Sequence, residues 1–205
     1  MLGYYNYTVV LTYIGTLFGF GGILHVWKGD LKMSLIHLMI AGFCDMFDGK
    51  IASTMKRTKE EKRFGIQIDS LSDLICFGVL PALIVFQYTD RTAIHSFIVS
   101  VYVLCALIRL AWFNVDEEER QDLEEKSREG YLGLPVTAVA ILLPVFIGIL
   151  EYFKLTLENS SVFSLIIAAA FVLPIQIKKP GTIGKIILLL CGIVGVVIMV
   201  NWRLI

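Results

Sequence analysis

Apolar segments close to the length of a membrane span recur along the whole chain, separated by short polar links. A helix needs about 20 mostly apolar residues to cross the hydrocarbon core of a bilayer. The pattern therefore predicts an all-α, polytopic membrane helix bundle. The candidate helices lie at residues 6–27, 32–54, 65–88, 93–115, 133–152, 161–177 and 183–202. The longest link, 116–131, is charged throughout, and we interpret it as a solvated loop or a surface helix.

The composition agrees with this pattern and narrows the class of protein. The chain has 205 residues, of which 57% are hydrophobic, and no polar half could form a separate water-soluble domain. We therefore expect one integral membrane domain over residues 1–205. Eighteen Lys and Arg balance eighteen Asp and Glu, and no basic tract with interleaved aromatic residues suggests a nucleic-acid partner.

Lysine and arginine are distributed unevenly between the two sets of links. With seven spans, one set of links carries eleven of them and the other set carries five. Cytoplasmic links of membrane proteins are enriched in Lys and Arg, so the link at 55–64, with its five basic residues, is expected in the cytoplasm. The chain would then be a protein of the cell membrane with a cytoplasmic N-terminus and an external C-terminus.

Four aspartates lie in or beside the second and third apolar segments. Asp45 and Asp48 are three residues apart, whereas Asp69 and Asp73 are four apart. Residues at these spacings share one face of a helix. The second and third helices are joined by a short link, so they are antiparallel neighbours, and both pairs fall at the same depth. We expect Asp69 and Asp73 near the start of the third helix, at the cytoplasmic mouth.

This grouping of carboxylates predicts a metal site. Converging carboxylates at low dielectric repel one another, and a bound cation removes that repulsion. Oxygen ligands without His or Cys favour Mg²⁺, Mn²⁺ or Ca²⁺ over Zn²⁺. Four such ligands could hold two ions, which would stabilise the oxygens of a phosphoryl-type displacement. Gly49 and Gly65 would let a bulky ligand approach the backbone, although small residues in membrane helices also serve close packing.

The same stretch resembles the signature of the CDP-alcohol phosphatidyltransferase family, D-x2-D-G-x2-A-R-x8-G-x3-D-x3-D. Seven of its eight fixed residues are present: Asp45, Asp48, Gly49, Ala52, Gly65, Asp69 and Asp73. The resemblance implies six core transmembrane helices, to which this chain adds a seventh, and a homodimer. It also implies a two-metal centre with Mg²⁺ or Mn²⁺, which Ca²⁺ could occupy. The implied reaction transfers a phosphatidyl group from a CDP-linked lipid to an alcohol and releases CMP.

Two departures from the signature affect the contacts to phosphate. Ser53 stands where the signature has Arg, and eleven residues rather than eight separate it from Gly65. Lys50, Lys56 or Arg57 could supply the missing cation, and the sequence does not choose between them. The resemblance implies contacts to the nucleotide from Thr12, Gly49, Ala52 and Gly65.

Further segments resemble the serine-using branch of this family. They are "LTYIGTLFGF" at 11–20, "DSLSDLICFGVLPA" at 69–82, "LIRLAWFNV" at 107–115 and "GLPVTA" at 133–138. Arg109 is also of interest on physical grounds, because a basic residue well inside a span indicates a functional site unless it snorkels to the interface. Its guanidinium could bind a phosphate or a carboxylate through two hydrogen bonds. The predicted substrate contacts are Arg109, Asn114, Lys56 and Arg57.

We therefore expect an enzyme of phospholipid biosynthesis. The donor would be CDP-diacylglycerol or CDP-archaeol and the acceptor L-serine, with Asp73 as a metal ligand and the general base. One alternative is another acceptor, such as inositol phosphate or glycerol phosphate, which should need a denser basic pocket. The other is a cation or proton transporter, which would usually carry polar residues at the bilayer midplane or repeated, broken helices. The sequence contains no such internal repeat.

Overall fold

A computed structural model of the chain describes residues 3–122, 130–156 and 160–178. The described part is helical apart from its links and two three-residue strands, so the predicted all-α class is confirmed. The helices are α1 Tyr7–Trp27, α2 Leu31–Ala52, α3 Lys59–Asp73, α4 Leu80–Gln87, α5 Ala93–Asp122, α6 Val139–Tyr152 and α7 Ser160–Val172. A π-helical turn, Leu74–Val79, joins α3 to α4, and a 3₁₀ turn, Val136–Ala138, precedes α6.

The first and second predicted helices agree with the structure to within two residues, and the fifth agrees to within three when the 3₁₀ turn before α6 is counted. Side-chain caps explain where α1 and α2 begin. The Asn6 side chain accepts a hydrogen bond from the backbone N–H of Thr8, and the Asp30 side chain accepts one from that of Met33. Such caps satisfy backbone donors that have no partner inside the helix. The predicted seventh helix, at 183–202, lies outside the described residues.

The third helix begins earlier than predicted, at Lys59 instead of residue 65. A capping box causes this: Thr58 Oγ1 accepts from the backbone N–H of Glu61, and the Glu61 carboxylate accepts from that of Thr58. The π-helical turn then carries the helix on to Gln87. The prediction that Asp69 and Asp73 lie near the helix start is therefore wrong, because Asp69 lies about 15 Å along α3 at 1.5 Å per residue.

The fourth predicted helix is also longer than expected, since α5 continues to Asp122 instead of ending at 115. Of the two interpretations of the charged segment, the helical one holds for its first residues. Glu117 and Arg120 form an ion pair one turn apart, and Gln67 of α3 donates to Glu118 at 3.1 Å. Charged residues at this spacing favour a surface helix.

The sixth predicted helix, 161–177, extends five residues beyond the observed end of α7. Helix α7 stops at Val172, and residues up to 177 are not helical. Pro174 explains this, because proline disfavours helical geometry in the residue before it and has no N–H to donate. The chain then forms β2, Gln176–Lys178, which pairs antiparallel with β1, Gly130–Leu132.

The helices pack around a buried apolar core that α2, α4, α5 and α6 share. Leu38, Phe77, Tyr102 and Leu143 are among its most buried members. Glycine permits close helix contacts at its edges: a Cβ on Gly42 of α2 would lie 2.5 Å from the Ala140 Cβ of α6. Small residues at such contacts are typical of membrane helix bundles.

Three helical segments of the described chain are long and apolar enough to cross a membrane: Tyr7–Trp27, Lys59–Gln87 and Ala93–Arg120. Val136–Tyr152 and Ser160–Val172 are shorter apolar helices, and α2 carries Asp45, Asp48 and Lys50 near its C-terminus. The protein is an integral membrane protein. The number of spans, and the formation of one domain by the whole chain, stay predictions.

The N-terminal residues and the link at 53–58 lie at one end of the bundle, which we call the basic end because of the basic residues at 55–64. Contacts between Tyr7 and Thr54 and between Asn6 and Glu61, both at 3.1 Å, hold this end together. The side of the membrane on which this end lies stays a prediction.

Candidate active site

A cleft of about 190 Å³, including its open mouth, lies between α1, α2, α3 and the π-helical turn. Its lining residues are of two chemical kinds. The polar ones are Thr12, Asp45, Asp48, Asp69, Ser72 and Asp73. The small or apolar ones are Gly15, Ala41, Cys44, Cys76 and Phe77. The cleft therefore combines carboxylates with small or apolar side chains.

Three of the four aspartates form a compact group. One oxygen each from Asp45, Asp48 and Asp69 lies within 4.8 Å of the others. Asp73 is outside this group of three, but it lines the same cleft and its carboxyl group contacts that of Asp45. The expected direct packing of α2 against α3 is not what brings them together: both helices pack against α1, and α2 meets the continuation of α3 at the π-helical turn and α4, so the two pairs face each other across the cleft. The structure thus brings together all four residues for which the sequence predicts metal binding, while separating Asp73 slightly from the rest.

The charge of this group has little compensation from the protein. Asp48 and Asp73 are each only 8% exposed. Thr12 Oγ1 donates to Asp48 Oδ2 at 3.2 Å, and within the described residues no Lys, Arg or His forms an ion pair with the four aspartates. Buried anions without counter-charge are costly. A cation is the simplest compensation.

The donor set fits a hard divalent cation. Metal–oxygen distances run from about 2.1 Å for Mg²⁺ to about 2.4 Å for Ca²⁺, so two ligands of one ion lie at most about 4.2–4.8 Å apart. The three carboxylate oxygens meet the upper end of this range. Because all the donors are carboxylate oxygens, they suit Mg²⁺, Mn²⁺ or Ca²⁺ better than Zn²⁺. The acidic cluster could therefore bind a metal.

Hydroxyl groups of α1 join the aspartate-bearing helices, which sequence reasoning largely missed. Thr12 is predicted to contact nucleotide, whereas in the structure its hydroxyl donates to Asp48. One turn further, Thr16 Oγ1 lies 2.7 Å from Ser72 Oγ. The spacing of four between Thr12 and Thr16 was the available signal, because it places both hydroxyls on one face of α1.

The two signature glycines adjoin the aspartate pairs in sequence, Gly49 directly after Asp48 and Gly65 one helical turn before Asp69. A Cβ on Gly49 would meet nothing within 4 Å, so there is open space next to Asp48. A Cβ on Gly65 would lie 3.1 Å from Nη1 of Arg57. Arg57 is half-buried, whereas Lys50 and Lys56 are exposed. Of the three cations that could replace the signature Arg, Arg57 is therefore the one seen against a signature residue.

Arg109 and Asn114, both predicted to contact substrate, have protein partners in the structure. Arg109 is 6% exposed, and its Nε donates to the carbonyl oxygen of Leu134 at 3.3 Å. Asn114 bonds to Ser70 and Gln67 of α3. Neither residue lines the cleft between α1, α2 and α3. Their assignment to substrate stays a prediction.

Comparison with known proteins identifies the family. The family model described as CDP-alcohol phosphatidyltransferase matches residues 5–198. The chain is 37% identical over 108 residues to a CDP-diacylglycerol–serine O-phosphatidyltransferase of Saccharomyces cerevisiae, covering 51% of this chain and 38% of the relative. It is 30% identical over 138 residues to an archaetidylserine synthase of Methanothermobacter thermautotrophicus, covering 67% and 55%.

A third relative is a CDP-diacylglycerol–serine O-phosphatidyltransferase of Methanocaldococcus jannaschii, 29% identical over 149 residues that cover 72% of this chain and 64% of the relative. The chain thus spans less than two thirds of the length of each of these three relatives. The family match, in contrast, extends over nearly the whole chain and includes the cleft with its four aspartates. The chain belongs to the CDP-alcohol phosphatidyltransferase family.

Proposed function

We propose that the chain transfers a phosphatidyl or archaetidyl group from a CDP-linked lipid to the hydroxyl of L-serine, releasing CMP. The observation that carries this proposal is the convergence of the four signature aspartates in one cleft of an integral membrane protein. The names of the relatives support serine as the acceptor, because each is described as a serine transferase or an archaetidylserine synthase.

The cleft would hold Mg²⁺ or Mn²⁺, in one or two sites, and Ca²⁺ could occupy them. Asp45, Asp48 and Asp69 would be the main ligands, with Asp73 beside them. A divalent cation bound there would neutralise the donor's pyrophosphate and stabilise the oxygens that gain charge during transfer. Thr12 would orient Asp48, because its hydroxyl donates to that carboxylate.

Asp73 would act as the general base. Its carboxylate would accept the proton of the serine hydroxyl, and the serine oxygen would then attack the β-phosphorus, which bears the lipid. The bond from that phosphorus to the bridging oxygen breaks, and CMP leaves with the oxygen. The position of Asp73 outside the group of three supports this division of labour, since its carboxylate is not required for a three-ligand cation site. A base must lie within hydrogen-bond reach of its proton.

Arg57 would contact the phosphates of the donor. Its guanidinium lies against Gly65, one helical turn before Asp69 on the same face of α3. Gly49 and Ala52 would line the nucleotide on the α2 side, and Lys56 would add positive potential at the mouth. A guanidinium can bind phosphate oxygens through two parallel hydrogen bonds.

The acceptor site would lie towards α5, where Arg109 could bind the serine carboxylate. Arg109 already donates to Leu134 through Nε, so binding serine there would require a rearrangement of its present contacts. The active site would face the cytoplasm at the basic end, in the cell membrane. The enzyme would work as a homodimer.

An acceptor panel tests the proposal. Purified protein with CDP-diacylglycerol or CDP-archaeol is mixed with serine, inositol, glycerol phosphate or inositol phosphate, and CMP release is measured with Mg²⁺ or Mn²⁺ and with excess EDTA. We expect release with serine and a divalent ion only. Faster CMP release with a phosphorylated alcohol than with serine would refute serine as the acceptor. Full turnover in excess EDTA would refute the metal site. Transport of cations by reconstituted protein without CMP release would favour the transporter alternative.

A further inference from the structure

Polar side chains connect α3 to α5 at the level of the candidate active site. Ser70 Oγ donates to Asn114 Oδ1, and Asn114 Nδ2 donates to Gln67 Oε1 at 3.3 Å. Gln67 Nε2 in turn donates to Glu118 at 3.1 Å. The Asn114 amide therefore uses its oxygen and its nitrogen on two residues that lie one turn apart on α3.

The contact between Ser70 and Asn114 lies next to the candidate metal ligands. Ser70 directly follows Asp69 and is 8% exposed, whereas Gln67 is exposed. Successive residues of an α-helix point about 100° apart. A bond that fixes the direction of Ser70 towards α5 therefore fixes the direction of Asp69 towards α2. The same bond acts on Asp73, three residues further along the same helix.

The part of the helix that carries Asp69 and Asp73 has polar buried residues. Within α3 these are Ser70, Ser72 and Asp73, whereas buried apolar side chains anchor the helix further on, in the π-helical turn and α4. Before Leu74, hydrogen bonds therefore contribute to fixing the rotation of α3. Ser72 contacts Thr16 of α1 on one side, and Ser70 contacts Asn114 of α5 on the other.

Repulsion between the aspartates opposes this arrangement. Three carboxylate oxygens lie within 4.8 Å of one another, and like charges at that distance favour any movement that separates α3 from α2. Rotation of α3 by a fraction of a turn would relieve the repulsion and disperse the ligands. The bonds at Ser70 and Ser72 resist that rotation.

We propose that Asn114 is a positioning residue that holds the rotation of α3, so that Asp69 and Asp73 face Asp45 and Asp48. This inference rests on the proposed metal-dependent function and replaces the expected contact between Asn114 and substrate. Asn114 acts through Ser70 and does not touch the reacting atoms. Its loss weakens metal binding before any substrate is present.

A double-mutant cycle on metal affinity tests whether Asn114 positions α3. Wild-type protein, Ser70→Ala, Asn114→Ala and the double variant are purified at full length, and Mn²⁺ binding is measured by the electron paramagnetic resonance of free Mn²⁺, without lipid or serine. Ser100→Ala is the matched control, because the Ser100 hydroxyl donates to the carbonyl oxygen of Ser96 in the same helix. The melting temperature of each variant without metal is recorded in parallel.

We expect each single substitution to raise the Kd for Mn²⁺ about tenfold, the lower end of the range for groups that orient metal ligands. The Kd of the double variant for Mn²⁺ should not exceed that of Asn114→Ala, because Asn114→Ala already removes the bond to Ser70. Ser100→Ala should bind Mn²⁺ like wild type. At saturating Mn²⁺, Asn114→Ala should recover most of its kcat with an unchanged serine KM.

Two results would overturn the inference. An unchanged Kd for Mn²⁺ with a raised serine KM would make Asn114 a substrate contact. A lower melting temperature with an unchanged Kd would reduce it to a residue of general stability. The double-mutant cycle measures Mn²⁺ binding and does not need serine transfer. If serine is not the acceptor, the acceptor panel shows it, and the double-mutant cycle still decides the role of Asn114.

Discussion

Replacing single aspartates of the cleft by asparagine distinguishes the metal ligands from the general base. Asp48 belongs to the group of three whose oxygens lie within 4.8 Å, whereas Asp73 does not. Asparagine keeps the size of aspartate and one oxygen but removes the charge and the basicity. We predict that Asp73→Asn retains metal and CDP-lipid but loses most turnover, and that Asp48→Asn loses both binding and turnover.

The magnitudes follow from these positions. Removing a general base typically lowers the rate by about 10²–10⁴, which corresponds to about 2.7–5.4 kcal/mol of barrier. Groups that merely orient ligands contribute up to about 100-fold to metal affinity. Asp48 is a candidate ligand itself, so Asp48→Asn should weaken Mn²⁺ binding by more than about 100-fold. Asp73→Asn should change it far less than the rate.

The assay combines Mn²⁺ binding, CDP-lipid binding and kcat at saturating metal for each variant. Asp30→Asn is the matched control, since it makes the same substitution on α2 at the opposite end of the helix, where Asn caps as well as Asp. A near-normal kcat for Asp73→Asn would show that Asp73 is not the base. Equal losses of metal affinity in both variants would refute the distinction between the group of three and Asp73.

Three further predictions concern the mouth of the cleft, the core and the topology. Arg57→Ala should raise the KM for CDP-lipid about tenfold, equivalent to one charge-assisted hydrogen bond, while Lys56→Ala changes it less than about twofold; the reverse order would assign the phosphate contact to Lys56. Tyr102→Phe should destabilise the protein by about 1–3 kcal/mol, because the Tyr102 hydroxyl donates to the buried carbonyl of Phe77 at 2.6 Å. Thermal unfolding measures this, and an unchanged melting temperature would contradict it. Lys59→Cys should react with an impermeant thiol reagent only after cells are opened, and labelling of intact cells would reverse the proposed topology.

Local sequence patterns predicted much of the helical framework because the information lies within each segment. Apolar length alone located α1, α2 and α6, and spacings of three and four placed each aspartate pair on one helix face. The start of α3 was equally local, since Thr58 and Glu61 form a capping box that the sequence displays. Recognition of that box would have placed Asp69 well inside the helix.

The partners of the polar side chains could not be predicted in the same way. Asn114 and Ser70 are 44 residues apart, and Arg109 and Leu134 are 25 apart, so their contacts depend on how whole helices pack. The π-helical turn is also invisible to periodicity, because "LICFGV" is apolar at every position and shows no preferred face. Such features emerge from tertiary packing rather than from local propensity.

The π-helical turn has a consequence for how this chain is aligned and engineered. A π turn accommodates one residue more than an α-helical turn, and each added residue rotates the following part of the helix by about 100°. A relative without the turn would need a one-residue gap between Leu74 and Val79 for α4 to match. A gap-free alignment would pair residues of α4 that face different neighbours. Segments exchanged between such proteins should therefore be joined before Leu74 or after Val79, never inside the turn.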